Sequence, residues 1–88
     1  MAHSVQARKR IRQNVRRAER NRPVRTRAAG AVRDARLAIE LGDDDAAELV
    51  RTAQSALDRA ARRGVIHPNS AARRKSRLVR RLKAAQAG

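Results

Sequence analysis

The chain has 88 residues, no cysteine, and no Phe, Tyr or Trp, and its 23 Lys and Arg against 8 Asp and Glu give a net charge of +15. That length holds one small domain, the lack of cysteine excludes disulfides and thiolate metal sites, and the lack of aromatics excludes single-strand readers that stack bases on a sheet. Such a charge opposes compaction by self-repulsion and favours a polyanionic partner.

Nineteen residues are Ala, against seventeen Val, Leu, Ile and Met together. Ala favours helix and fills little space, so a core of this kind needs close helix-on-helix packing. Arg outnumbers Lys by 20 to 3. Arg forks onto phosphate and stacks on bases, which suits RNA, although a GC-rich genome produces the same bias.

The charge falls in three blocks. Residues 1–27 hold ten cations and one acid, residues 28–63 six cations and seven acids, and residues 64–88 seven cations and no acid. Two basic ends flank a neutral middle, an asymmetry that marks an interaction surface.

The first block reads as a helix poor in partners. Ala7, Ile11, Val15 and Ala18 make an apolar stripe about 80° wide, while the cations from Arg8 to Arg20 take about 200° of the surface. Like charges at i and i+4, such as Arg8/Arg12, Arg12/Arg16 and Arg16/Arg20, weaken an isolated helix. This arm is expected to fray in the free protein and to fold on phosphates. Pro23 requires either a kink or a junction of two helices. The N-terminus is basic without the apolar core of a secretory signal. It resembles an Arg-rich transit peptide, but little chain would remain after cleavage, so a cytosolic protein is expected.

The middle block reads as a helical hairpin. Val24, Ala28, Ala31, Val32, Ala35, Ala38 and Ile39 recur at spacings of three and four, giving a helix over 24–41 that Gly42 stops. Joined to the first block it would run from about residue 4 to 41, about 57 Å. Asp43, Asp44 and Asp45 then favour a helix start, and Asp45 with Glu48 has capping-box spacing. Ala46, Leu49, Val50, Ala53, Ala56, Leu57 and Ala60 form the stripe of the second helix. Arg62 and Arg63 suit its negative end, and Gly64 closes it. Helices two and three are each about half as long as helix one, so they cover 24–41 and leave the first 22 residues projecting.

The turn at Val65 and Ile66 is expected to pack on the end of the hairpin and fix the direction of helix three. That helix begins after Pro68, with Asn69 as its expected N-cap. Ala71, Leu78, Leu82 and Ala85 face a core; Arg73, Arg74, Arg77, Arg80 and Arg81 cover a separate arc of about 120°. Lys75 falls in the apolar sector, either snorkelling to the rim or aimed at phosphate. The longest stretch without a formal charge is Gly64 to Ala72, well under the ~18 residues of a membrane span.

Catalysis has little to work with. His3 and His67 are the two imidazoles, no Gly-rich phosphate loop exists, and no acid pair lies outside the helix start, so no enzyme, metal or cofactor is expected. A basic membrane-surface peptide would need apolar faces rich in Leu, Trp or Phe; here they are mostly Ala. What remains is backbone and shape recognition of folded, double-helical nucleic acid by Arg and Lys. Charge alone leaves RNA and DNA open, and a general nucleoid DNA-binding protein is the alternative.

The stretch GVIHPNSAARRKSRL, residues 64–78, resembles the C-terminal signature of the S-twenty family of bacterial small-subunit ribosomal proteins, through Gly64, Ile66, His67, Asn69, Ala71, Ala72, Arg73, Lys75, Ser76 and Leu78. The hairpin exit AIELGDDDAA, 38–47, and the basic opening SVQARKRIRQN, 4–14, agree with the same family. The resemblance implies an all-α three-helix bundle with a long basic N-terminal helix projecting past it. One domain over 1–88 is expected, and the periodicity divides it into an arm over 1–22 and a core over 24–86. The resemblance further implies direct binding to 16S ribosomal RNA alongside other small-subunit components, with no catalysis; no membrane association and no homo-oligomer are expected. Carried over, Arg8, Lys9, Arg10, Arg12, Arg16, Arg17 and Arg20 line the RNA groove, continued by Arg22 and Arg25. His67, Asn69, Arg73, Arg74, Lys75, Ser76 and Arg77 form a second contact. Pro23 departs from the family's uninterrupted first helix, and Pro68 stands where the family often has a cation.

Overall fold

The computed structural model describes residues 5–87. Three helices form: α1 (Val5–Glu40), α2 (Ala46–Arg62) and α3 (Pro68–Ala87). Each pair of helices is in contact. Among the described residues there is no strand, so the all-α bundle expected from the sequence is the fold.

Both helix stops follow from glycine. Gly42 (φ 64°) and Gly64 (φ 73°) adopt the left-handed conformation that a side chain disfavours. At the first stop, the Gly42 N–H donates to the Ile39 carbonyl at 3.2 Å and the Asp43 N–H to Ala38 at 2.9 Å. At the second, Gly64 donates to Ala61 at 3.0 Å and Val65 to Ala60 at 2.9 Å. This paired pattern supplies donors to carbonyls that a helix end leaves open. The second stop adds the apolar follow-on: Val65 is 8% exposed and packs with Ala60, Ala28, Leu57 and Ala71, with Ile66 against them.

Helix starts depart from expectation. Asp45 makes no side-chain capping hydrogen bond, so the capping box with Glu48 does not form. The Asp43 carbonyl accepts from the Ala46 N–H at 3.1 Å instead, and a backbone turn does the work of a side-chain cap. At α3, Pro68 occupies the first helical position, where its missing N–H costs nothing. Asn69 therefore lies one residue inside the helix and is not its cap.

The core has two clusters along the bundle. Ala28, Leu57, Ala60, Val65 and Ala71 form one; Ala35, Val50, Ala53 and Leu78 form the other, and Val32 packs on both. Ala at the contacts lets the helices approach closely, so Leu57 and Leu78 fill the space completely, at 0% and 2% exposure. Each such Leu contributes roughly 1.5–3 kcal/mol by burial. No polar or charged residue is buried among the described residues.

α1 has no buried residue before Ala28. Its 36 residues span about 54 Å, against roughly 26 Å for α2 and 30 Å for α3. The described residues extend 64 × 19 × 19 Å, a rod rather than a ball. α1 runs through Pro23 as one element, which excludes two separate helices meeting there. Pro23 is exposed; it lacks the N–H that would reach the Glu19 carbonyl, and water can serve that acceptor. The basic half has helical form from Val5 as the continuation of the packed half. Nucleation is the costly step of helix formation, the packed half supplies the nucleus, and each further residue adds a hydrogen bond.

Replacing Leu57 by Ala is expected to destabilise the protein by ~2–5 kcal/mol, a large share of what a domain this small holds. Urea unfolding followed by far-UV circular dichroism measures it. Gly64→Ala, which forces a side chain into the left-handed region, is expected to cost ~1–2 kcal/mol in the same assay.

Candidate nucleic-acid interface

The basic half of α1 presents its cations unshielded. Arg8, Lys9, Arg10, Arg12, Arg16, Arg17, Arg20, Arg22 and Arg25 are all exposed. Glu19 is the one acid before residue 28. Among the described residues the one ion pair joins Lys75 to Asp58 in the bundle, so these guanidinium groups meet no carboxylate of their own chain. Arg8, Arg12, Arg16 and Arg20 stack one above another at i, i+4 spacing, where like charges repel. Ile11 and Val15, 59% and 52% exposed, run along the same rod without a partner in the bundle. Exposed guanidinium forks in a row on a helix have the geometry and charge that suit phosphate.

The second group of expected contacts gathers at the start of α3, and the structure gives its members different tasks. The His67 Nδ1 accepts a hydrogen bond from the Asn69 N–H at 3.1 Å, and the His67 carbonyl accepts from the Ala71 N–H at 3.1 Å. His67 is thus the N-cap of α3, in the place expected of Asn69. Because Nδ1 is an acceptor, the ring proton of the neutral imidazole sits on Nε2. Asn69, Arg73, Arg74, Ser76 and Arg77 are exposed.

Lys75 carries its ammonium to the rim of the bundle, as the snorkelling expectation has it, and meets there a partner the sequence did not specify. Its Nζ donates to Asp58 Oδ1 at 2.9 Å, tying α3 to α2. The two side chains are 34% and 46% exposed, so the pair is a partly solvated clasp. In the free protein the ammonium therefore faces a carboxylate of its own chain. His3 lies outside the described residues.

Between α1 and α3 lies a cleft of about 250 Å³, lined by Ala29, Val32, Arg36, Arg74, Arg77, Leu78 and Arg81. Four guanidinium groups surround an apolar floor. Arg74, Arg77 and Arg81 share a face because they are spaced by three and four along α3, a signal present in the sequence. Arg36 was not among the sequence candidates. It belongs to the neutral middle block and joins the others because α1 and α3 pack with that side facing across. Among the described residues no cluster of His, Asp and Glu is placed to hold a metal ion, and no helix is long and apolar enough to cross a membrane.

Comparison with known proteins agrees with this layout. Residues 2–83 match the family model of ribosomal protein S20. The chain is 53% identical over 87 residues to the small ribosomal subunit protein bS20 of Roseiflexus sp. (strain RS-1), covering 99% of this chain and 96% of the relative. It is 47% identical over 88 residues to the protein of the same name from Dinoroseobacter shibae, covering 99% of this chain and 100% of the relative. For the one from Nitrosomonas eutropha, identity is 46% over 85 residues, covering 96% and 98%.

His67→Ala removes the cap and is expected to cost ~1 kcal/mol, while His67→Asn, a good capping residue, restores most of it. Equal losses in the two variants by chemical denaturation would show that His67 does not cap. A double-mutant cycle over Lys75→Ala and Asp58→Ala is expected to give a coupling below ~1 kcal/mol, as half-exposed pairs do.

Proposed function

The chain belongs to the ribosomal protein S20 family, and from that premise we propose that it is a structural component of the small ribosomal subunit that binds 16S ribosomal RNA directly. It is not an enzyme, and its place is on the ribosome in the cytoplasm. The binding mechanism is neutralisation of RNA phosphates by Arg and Lys; sequence-specific base contacts are not required for it.

One observation carries the reading: the cations of the basic half are exposed and unmatched. In this reading residues 1–22 are the arm, and residues 24–86 are a self-sufficient core that orients it. Arg8, Lys9, Arg10, Arg12, Arg16, Arg17 and Arg20 lie along one RNA groove, with Arg22 and Arg25 at the junction. Arg73, Arg74, Ser76, Arg77, Asn69 and His67 take a second stretch of backbone, Arg36 and Arg81 extend that site into the cleft, and Lys75 exchanges Asp58 for phosphate or keeps it. A helix held straight out from a bundle fits a groove of folded RNA. Two molecules of charge +15 repel one another, so one copy binds without dimerising.

The nucleoid alternative is tested by competition between a folded 16S RNA fragment and duplex DNA in filter binding at matched salt. Preference for the RNA is expected, and equal affinity would favour the alternative. Replacing Arg12, Arg16 and Arg20 together by Ala removes three phosphate contacts. It is expected to flatten the log–log salt dependence of RNA binding by about 2 to 3, at ~0.7–0.9 per phosphate. The thermal midpoint of the free protein stays unchanged; an unaltered slope would place the RNA elsewhere.

A further inference from the structure

The turn between α1 and α2 is the acidic part of the chain, with the cations Arg80, Arg81 and Lys83 of α3 on the other side of the bundle's core cluster. Six of the eight acids lie between Asp34 and Glu48, and Arg36 is the one cation in that span. Asp58, outside it, is already paired with Lys75, whereas none of the six is in an ion pair among the described residues. Beside them, Leu37 on the side of α1 turned away from the core and Leu41 just past the end of α1 are 53% and 71% exposed. The two are one turn apart. Asp34 and Glu40 neighbour Leu37 from three residues before and after it, and Leu41 leads directly into Gly42 and the three aspartates. Arg33, one turn before Leu37, is the one cation on this face, and Arg36 and Arg81 line the cleft on the α3 side.

We infer that this face docks a Lys- and Arg-rich segment of another protein, one that carries an aliphatic side chain to lie against Leu37 and Leu41. The inference rests on the particle membership proposed above. Charge selects the occupant. RNA phosphates approaching Leu41 would meet the carboxylates of Glu40, Asp43, Asp44 and Asp45 at short range. The arm does not cancel this field: from Arg20 to Leu41 is roughly 30 Å of helix, several times the ~8 Å screening length at physiological salt. A cationic segment gains from the same carboxylates and covers the two leucines. The face is small, so the contact is weak alone. It is effective in a particle, where RNA holds both proteins close together.

The test uses the absence of cysteine in the natural chain. Leu41→Cys gives a single thiol at an exposed position, to which a maleimide–benzophenone photocrosslinker is attached. Small subunits are reconstituted with the labelled full-length protein, sedimented, irradiated, digested and analysed by mass spectrometry. The expected adduct is a Lys/Arg-rich peptide of another subunit protein, with its yield falling at least several-fold when Asp43, Asp44 and Asp45 are replaced by Asn. An adduct to RNA, to a second copy, or to nothing in particles that contain the protein overturns the inference alone, as does a yield that ignores the Asp→Asn changes. Absence of the labelled protein from the particles, with the thermal midpoint of the free variant unchanged, overturns the proposed function and this inference with it.

Discussion

Everything in this structure depends on a mismatch of helix lengths. α1 is 36 residues long, α2 is 17 and α3 is 20, so two short helices can bury one half of the long one and no more. The apolar residues are distributed to match. Buried positions of α1 begin at Ala28, and the exposed Ile11 and Val15 mark a half that the bundle never reaches. Ala at the helix contacts makes the bundle slim, with Leu57 and Leu78 as its two fully enclosed large side chains. A slim, tightly packed base can hold a helix end in place without enclosing the rest of it. The consequence for function is electrostatic: the cations on the free half have one acid, Glu19, among them, and none is in an ion pair among the described residues.

The turn between α2 and α3 converts packing into direction. Gly64 ends α2, Val65 enters the core, and His67 caps the next helix through its ring nitrogen. The path of α3 is then fixed at its base by that cap and by the clasp from Lys75 to Asp58. Fixing that path brings Arg74, Arg77 and Arg81 across from Arg36 around an apolar floor. Groups that are remote in sequence thus become one cationic site without any buried charge. Acids concentrate around the turn between α1 and α2, where the C-terminal half of α3 also packs.

Much of this was legible in the sequence, because helical hairpins write themselves in period and punctuation. The apolar spacing from Val24 to Ile39 located the packed half of α1, and Gly42 and Gly64 marked both stops where the structure has them. What could not be read depended on local alternatives of nearly equal merit. Asn69 and His67 are both capable caps, and Pro68 decided between them by taking the first helical position, which leaves the cap to the residue before it. Asp45 looked like a cap, yet the Asp43 carbonyl closes the first turn of α2 through the backbone. Arg36 and the Asp58 partner of Lys75 are tertiary facts. Each needs the rotation of one helix against another, which no single stripe specifies. The basic half of α1 joins the packed half as one helix, because the packed half supplies the nucleus from which the helix continues.

The central claim is that the basic half of α1 has no support other than its connection to the bundle until RNA arrives. A helix without tertiary partners opens locally at almost no free-energy cost. Residue-resolved amide hydrogen exchange, on the free protein and on its complex with a folded 16S RNA fragment, addresses this directly. The account predicts weak protection from Arg8 to Arg20 in the free protein, strong protection from Ala28 to Glu40, and a large gain in the first region when RNA binds. Strong and equal protection of both regions in the free protein, unaltered by RNA, would contradict it.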